Sequence, residues 1–281
     1  MRHRLQFWMT VAVLVLDAGS ASAHEFWLAP SSYGAGPRDT LTLRAFVGTG
    51  FRGEMKPYAA PRTVRFTRDG HERVDLAPGV TNGELRWAVL IPPDDGGQLV
   101  VYQSSFIPIE LPADRFDSYL ATEGLDEALA TRRRLGAKAG PGRERYIRCA
   151  KTWVRGNDAQ RALRRQGLPL EIVPLADPDG ASPRLTVLVL ERGKPLAGAL
   201  VRAWNRPLAR GWAPFDGAVR DSVAPAAERR TAHDGTVVLD VSRPGEWLLS
   251  VIHMEPSRDR READWESTWA SFTFARGQHR R

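Results

Sequence analysis

The stretch LTVLVLERGKPLAGALVRAW, residues 185–204, decides the fold class. It opens with six β-prone residues, five of them apolar, continues through the turn sequence RGKP, and returns in the mostly apolar segment ALVRAW. Two more strand patterns follow at 237–241 and 247–253, each introduced by a turn-forming Asp-Gly or Pro-Gly pair. Short strands punctuated by turns in this way are typical of a β-sandwich, so residues 181–275 are predicted to form one.

The amino-terminal half shows a similar pattern with one interruption. Between residues 40 and 102, short β-prone segments alternate with Gly, Pro, Asp and Asn. From about 112 to 136, apolar residues recur at helical spacing after a proline, and glycines close each of two segments. Residues 24–176 are therefore predicted to form a β-sandwich that carries a short helical insertion.

The whole chain is thus expected to be all-β, with two sandwich units and two cores. A turn-rich segment at 176–180 marks the predicted boundary between them, and residues 276–281 are expected to form a basic tail. The order of the motifs GKPLAGA, DGT and PGEW in the second unit resembles small transthyretin-like and carboxypeptidase-regulatory-like sandwiches. The predicted architecture is therefore a pair of Ig-like or transthyretin-like units.

The first 23 residues have the layout of a cleavable signal peptide. Arg2 and Arg4 precede an apolar run at 5–16, and the small residues of ASA at 21–23 fit a cut before His24. A retained membrane anchor is the alternative, but the run is shorter than the roughly 20 residues that a spanning helix needs. Because no later segment is apolar for long enough, we expect a periplasmic or secreted mature chain without a transmembrane segment.

Composition limits the classes of partner and of chemistry. The formal charge is +7, but the basic residues are scattered among 33 acidic ones, so no nucleic-acid partner is predicted. Cys149 is the only cysteine, which excludes an internal disulfide. It lies in a strand pattern with no histidine near it in sequence, and a buried structural thiol is favoured over a nucleophile.

His24 is the first candidate metal ligand. If the cut falls before it, His24 offers both an α-amine and an imidazole nitrogen, which together close a chelate ring on one ion. Nitrogen-rich sites suit nickel, cobalt or copper better than calcium or magnesium. The alternative is an incidental histidine at a frayed terminus, but the apolar sequence EFWL that follows favours docking of this segment onto the body.

His253 is the best candidate for a second anchor, because it ends a strand where the chain opens into a loop. The alternation of its strand also allows a half-buried core histidine. Glu266 is a further acidic neighbour, and His233 has an alternative reading as an exposed turn residue. The predicted metal ligands are His24, His253, Glu255, His233 and Asp264.

Four motifs carry a resemblance to a known family. They are HEFWL at 24–28, GTGFRG at 48–53, HMEP at 253–256 and DWESTWA at 264–270. Together they resemble a bacterial secreted family described as domain of unknown function 4198, whose members are often labelled periplasmic components of cobalt or nickel uptake. The resemblance implies an exported sandwich protein that handles divalent transition metals, with His24 taking part in metal capture.

Three functions remain open at this point. The first is a non-enzymatic carrier that captures nickel or cobalt and passes it to a membrane importer. The second is a periplasmic copper-binding protein or a copper-dependent oxidative enzyme, which needs two histidines converging on one ion. The third is a glycan-binding, peptide-binding or structural sandwich that binds no metal. Phosphate-binding glycine loops, zinc-spaced cysteine pairs and nucleophile elbows are missing from the sequence, so no hydrolase or nucleotide-dependent activity is predicted.

Overall fold

The computed structural model describes residues 25–34, 39–90, 95–136, 140–208 and 224–277. Within these ranges the chain forms seventeen strands and two α-helices. The strands are β1 (Glu25–Pro30), β2 (Leu41–Thr49), β3 (Arg52–Lys56), β4 (Thr63–Asp69), β5 (Arg73–Asp75), β6 (Ala88–Leu90), β7 (Gln98–Ser104), β8 (Ile107–Leu111), β9 (Gly142–Val154), β10 (Leu170–Pro174), β11 (Arg184–Glu191), β12 (Lys194–Pro195), β13 (Leu200–Arg206), β14 (Ala227–Arg230), β15 (Thr236–Asp240), β16 (Gly245–Pro256) and β17 (Trp265–Arg276). The helices are α1 (Ala113–Thr122) and α2 (Asp126–Leu135).

A nine-stranded sheet runs through the middle of the molecule in the order β14-β13-β16-β17-β9-β7-β4-β5, with β8 paired to β9. Its neighbours are antiparallel except at its centre, where β17 pairs with β9 in parallel. Two four-stranded sheets complete the fold. One contains β1, β2, β3 and β6, and the other contains β10, β11, β12 and β15.

The nine-stranded sheet is buried on both of its faces. We call face 1 the side that carries Val251 and Phe272, which pack in one core against the sheet of β10, β11, β12 and β15. Face 2 is the opposite side, where Tyr102 and Ala150 pack in a second core against the sheet of β1, β2, β3 and β6. Three layers of sheet therefore enclose two cores.

The all-β prediction is confirmed, and so is the helical insertion, since α1 and α2 lie within the predicted range 112–136. Both helices cover face 2, where Phe116 and Leu120 pack with Trp265 and Trp269. These tryptophans are therefore core residues.

The two predicted units are not separate sandwiches that follow one another along the chain. Strands of the unit 24–176 and of the unit 181–275 meet at β9 and β17 in one sheet. The core on face 1 also mixes the halves, because Cys149 and Trp153 pack there with Val187. The two predicted units thus share their middle layer.

Arg276, the first residue of the predicted basic tail, is part of the folded structure. This residue is the last of β17, is buried, and donates hydrogen bonds to the carbonyl oxygens of Pro178, Gly180 and Ser182. The guanidinium thereby ties the end of β17 to the segment that joins β10 to β11. Residues 278–281 of the predicted tail lie outside the described residues.

Cys149 lies on β9 with 1% of its surface exposed, as predicted. Burial raises the pKa of its thiol to about 12, so the reactive thiolate is scarce at neutral pH. We expect native protein to resist a thiol reagent such as DTNB, and we expect Cys149→Ala to lower the free energy of unfolding by about 1–2 kcal/mol. Labelling that is complete within seconds in the native state, but not faster after denaturation, would contradict this burial.

Candidate functional site

A cleft opens at one end of face 1, where the middle sheet extends past the covering sheet. Its volume is about 710 Å³. The floor comes from the ends of β9, β16 and β17, and the rim comes from the β11–β12 turn and the segment that precedes β10. The residues that line it are Gln103, Phe106, Arg145, Ile147, Gly167, Leu168, Pro169, Glu191, Arg192, Gly193, His253, Glu255, Arg258, Glu266 and Thr268.

Strand register arranges the floor in two rows. Glu255 of β16 is opposite Glu266 of β17, which is in turn beside Arg145 of β9. His253 is opposite Thr268 one pair further along. Because alternate residues of a strand share a face, all of these side chains lie on face 1 with Val251 and beyond the end of its core.

Glu191 reaches the cleft from the other sheet, as the last residue of β11. Glu191 pairs with Lys194, so Arg192 and Gly193 form a two-residue turn. Their φ angles are 47° and 79°, which is the pattern of a type I′ turn. A positive φ is unfavourable for arginine by about 1–2 kcal/mol. Arg192 adopts this unfavourable backbone conformation at a position where its side chain lines the cleft.

Three side chains converge in the cleft: Glu191, His253 and Glu255. One ligand atom from each lies within 4.8 Å of the other two, and all three residues are half-buried. An imidazole nitrogen and two carboxylate oxygens at this separation are a donor set for a divalent transition metal. Among the described residues this is the group that could hold such an ion.

Arg192 bridges the two carboxylates of this group. Its Nη1 atom is 2.9 Å from Oε1 of Glu191, and its Nη2 atom donates to Oε1 of Glu255. The hydrogen bond from Arg192 holds the pKa of Glu255 below its usual value. A cation of the protein thus pairs with both carboxylates and favours the ionised form of Glu255.

Arg145 likewise donates hydrogen bonds to Glu266, on the strand next to that of Glu255, and favours its ionised form. Burial disfavours the charge of Glu266, but hydrogen bonds from Arg145, from the amide of Arg258 and from Ser257 outweigh it and lower its pKa. The Arg145 guanidinium also lies over the ring of Phe106, 4.4 Å from its centroid. The Oε1 atom of Glu266 therefore already accepts from several donors, and Glu266 is not part of the convergent group.

The remaining predicted ligands lie elsewhere. His233 is exposed in the turn before β15. The carboxylate of Asp264 is held by Arg143, whose Nε and Nη2 atoms donate to its two oxygens at 3.1 and 2.9 Å. Neither residue joins His253 and Glu255 in the group of convergent ligand atoms.

His24 lies outside the described residues, so its predicted meeting with His253 stays a prediction. The strand that follows it, β1, packs on face 2, where the Thr273 hydroxyl donates to the carbonyl oxygen of Leu28 at 2.7 Å. His253 lies on face 1. The convergent group in the cleft is formed by described residues alone.

Glu191 is the member of the convergent group that the sequence analysis missed. The signal was present, because Glu191 directly follows an apolar strand and precedes a tight turn, just as His253 stands near the end of its own strand. The sequence shows no link between these two strand ends. Only the stacking of the two sheets brings them to the same cleft.

Comparison with known proteins identifies the family. The model of the family described as "Domain of unknown function (DUF4198)" matches residues 21–255. The chain belongs to this family. No curated protein matches this chain. A solved structure, the "D0-D1 domain of Intimin", is similar at 14% identity over 89% of this chain and 97% of that one, with a TM-score of 0.20. A TM-score this low shows no close structural match to this DUF4198 protein. None of its described helices is long and apolar enough to cross a membrane.

The Arg145–Glu266 pair gives a test of the floor of the cleft. Arg145→Met keeps most of the aliphatic stem but leaves the buried Glu266 without its cation. We expect the free energy of unfolding to fall by on the order of 1–3 kcal/mol at pH 7, measured by urea denaturation. Because the Glu266 pKa is lowered from its usual value of 4.5, its stabilisation is full above that value, and the loss should shrink only as the pH falls below it, through the lowered pKa.

The double variant Arg145→Met/Glu266→Gln is the control, since a neutral amide needs no counterion. It should recover at least half of the lost stability at pH 7. A loss that is equal in the single and double variants would show that the arginine acts through packing alone.

Proposed function

We propose that this DUF4198 protein is an exported carrier that binds a divalent transition metal, nickel or cobalt, through Glu191, His253 and Glu255. The observation that carries the proposal is the convergence of one nitrogen and two oxygen donors within 4.8 Å in an accessible cleft. No enzymatic step is required for capture and release. A membrane importer is the proposed recipient of the ion.

The donor set supports nickel or cobalt over calcium and magnesium and over the two-histidine copper site considered above. Calcium and magnesium prefer sites built from oxygen alone, and the imidazole of His253 disfavours them. A copper-dependent oxidative site of the kind considered above needs two histidines, and the described group contains one. Copper binding is therefore an outcome of the test and not the proposal.

The charge of the site supports a cation as its ligand. Glu191 and Glu255 lie close enough that they would repel each other strongly without a positive charge between them. Arg192 supplies that charge in the metal-free protein. A divalent ion bound to both carboxylates would place two positive charges where the guanidinium has one, at shorter distance, and would thereby compete with it.

Export is part of the same proposal and rests on the leader-like sequence of residues 1–23. Mass spectrometry of the protein expressed with its own leader in a bacterial host tests it. A mature chain that begins at His24 supports export and cleavage, and a chain recovered from the cytoplasm with residues 1–23 intact would refute them.

Metal binding is tested by calorimetric titration of the mature chain with NiCl₂ and CoCl₂. We expect His253→Ala to weaken binding at least tenfold, which is about 1.4 kcal/mol, because it removes the only nitrogen donor of the described group. Glu255→Gln and Glu191→Gln keep the size of the side chain and should weaken binding by a similar factor. The thermal unfolding temperature of the metal-free variants should change little, since all three residues lie beyond the cores.

His233→Ala is the matched control, because it removes an exposed histidine from a turn outside the cleft. It should bind as the wild type does. Equal affinities in the wild type and in all three cleft variants would overturn the proposal and favour a sandwich that binds no metal at this site. A preference for Cu²⁺ by more than the usual order of divalent affinities would favour the copper carrier instead.

A further inference from the structure

The cleft is much larger than a metal ion requires. A water-sized ligand takes up about 30 Å³, whereas the cleft has a volume of about 710 Å³. That volume lies within the roughly 300–1,000 Å³ range of small-molecule sites. Four of the lining residues are apolar, and we call them together the apolar wall: Phe106, Ile147, Leu168 and Pro169. The dimensions and this wall therefore fit an organic molecule of modest size beside the ion.

The three protein ligands also leave the ion incompletely coordinated. Even a four-coordinate ion would have one open position after Glu191, His253 and Glu255 are bound, and a six-coordinate ion would have three. These positions face the volume of the cleft, because the ligands come from its floor and rim. A second molecule with oxygen donors could fill them.

The charges of the cleft indicate the sign of that second molecule. Three carboxylates and three guanidiniums line it: Glu191, Glu255, Glu266, Arg145, Arg192 and Arg258. These charges cancel, so a divalent ion would bring an excess of two positive charges. Even if Glu262 is counted, which also pairs with Arg145, the excess remains positive. An anionic companion to the ion would neutralise it.

Arg192 is placed to recognise such an anion. When the ion takes Glu191 and Glu255, the guanidinium loses both of its present partners. Its side chain is 49% exposed, so it is free to turn toward the cleft without breaking a packed core. A guanidinium fork matches a carboxylate with two parallel hydrogen bonds.

We infer that the cleft takes its ion as a complex with a small hydroxycarboxylate chelator, and that Arg192 transfers its hydrogen bonds from Glu191 and Glu255 to a carboxylate of that chelator. This inference rests on the proposed function. The chelator fills the open coordination positions, supplies the missing negative charge and places its carbon skeleton against the apolar wall. Glu191 and Glu255 exchange Arg192 for the metal ion, and Arg192 exchanges them for a carboxylate of the chelator. No carbon, nitrogen or oxygen bond within the protein or the chelator is made or broken.

Equilibrium dialysis of the mature chain tests the inference, with radiolabelled citrate and malate as probes and with NiCl₂ present or absent. We expect nickel and one of the two probes to be retained in equal amounts by the wild type, and neither probe to be retained without nickel. Arg192→Ala should still retain nickel, because a competitor for the carboxylates is gone, but should bind the probe at least tenfold more weakly. Arg229→Ala is the matched control, since it removes an exposed strand arginine that does not line the cleft.

The outcomes separate this inference from the proposed function. If the wild type retains nickel but neither probe, and His253→Ala still loses nickel affinity, the inference of a chelator is overturned while the proposed metal site is supported. Probe retention that is the same in Arg192→Ala and in the wild type would overturn the role of Arg192. A wild type that retains no nickel under any of these conditions would overturn the inference and the proposed function together.

Discussion

The parallel pairing of β9 with β17 is the contact on which the rest of the structure depends. Nine residue pairs, from Trp265 with Glu144 to Thr273 with Thr152, join strands that come from opposite halves of the chain. The pairing makes one sheet out of two sets of strands and leaves both of its faces to be covered, as parallel strands generally require. The covering sheets, the helical insertion and both cores take their positions from this shared layer.

The cleft is a consequence of the same pairing. It places Arg145 of β9 beside Glu266 of β17, and β16 adds Glu255 to the row. A turn from the covering sheet then brings Glu191 and Arg192 over the row. Glu266 and Glu255 are neighbours in this row, and Arg145 and Arg192 flank them, so each of the two carboxylates accepts a hydrogen bond from a guanidinium of the protein. Under the proposed function, a metal ion would displace a guanidinium from its carboxylate partners rather than occupy an uncompensated negative site.

Much of this fold could be predicted from the sequence, since local patterns decide local structure. Turn residues and β-prone runs located β11, β13, β15 and β16, and helical spacing located α1 and α2. The pairing of β9 with β17 could not be predicted, because strands more than a hundred residues apart carry no mutual signal in a single sequence. The candidate site divides in the same way. His253 and Glu255 were predicted from their place near a strand end, whereas Glu191 depends on the stacking of sheets.

The position of β17 has a consequence for how the protein reaches this fold. The strand that joins β16 to β9 is the last of the described strands, so the nine-stranded sheet cannot form until synthesis or translocation has delivered Arg276. Contacts of such long sequence separation are slow to form, because the loop that they close must be ordered first. Until then β9 and β16 would both present open edges that other chains can pair with. A chain shortened before residue 265 would retain most of its hydrophobic residues and still lack the means to shield them, which makes aggregation, and not a smaller folded domain, the natural fate of a truncated product.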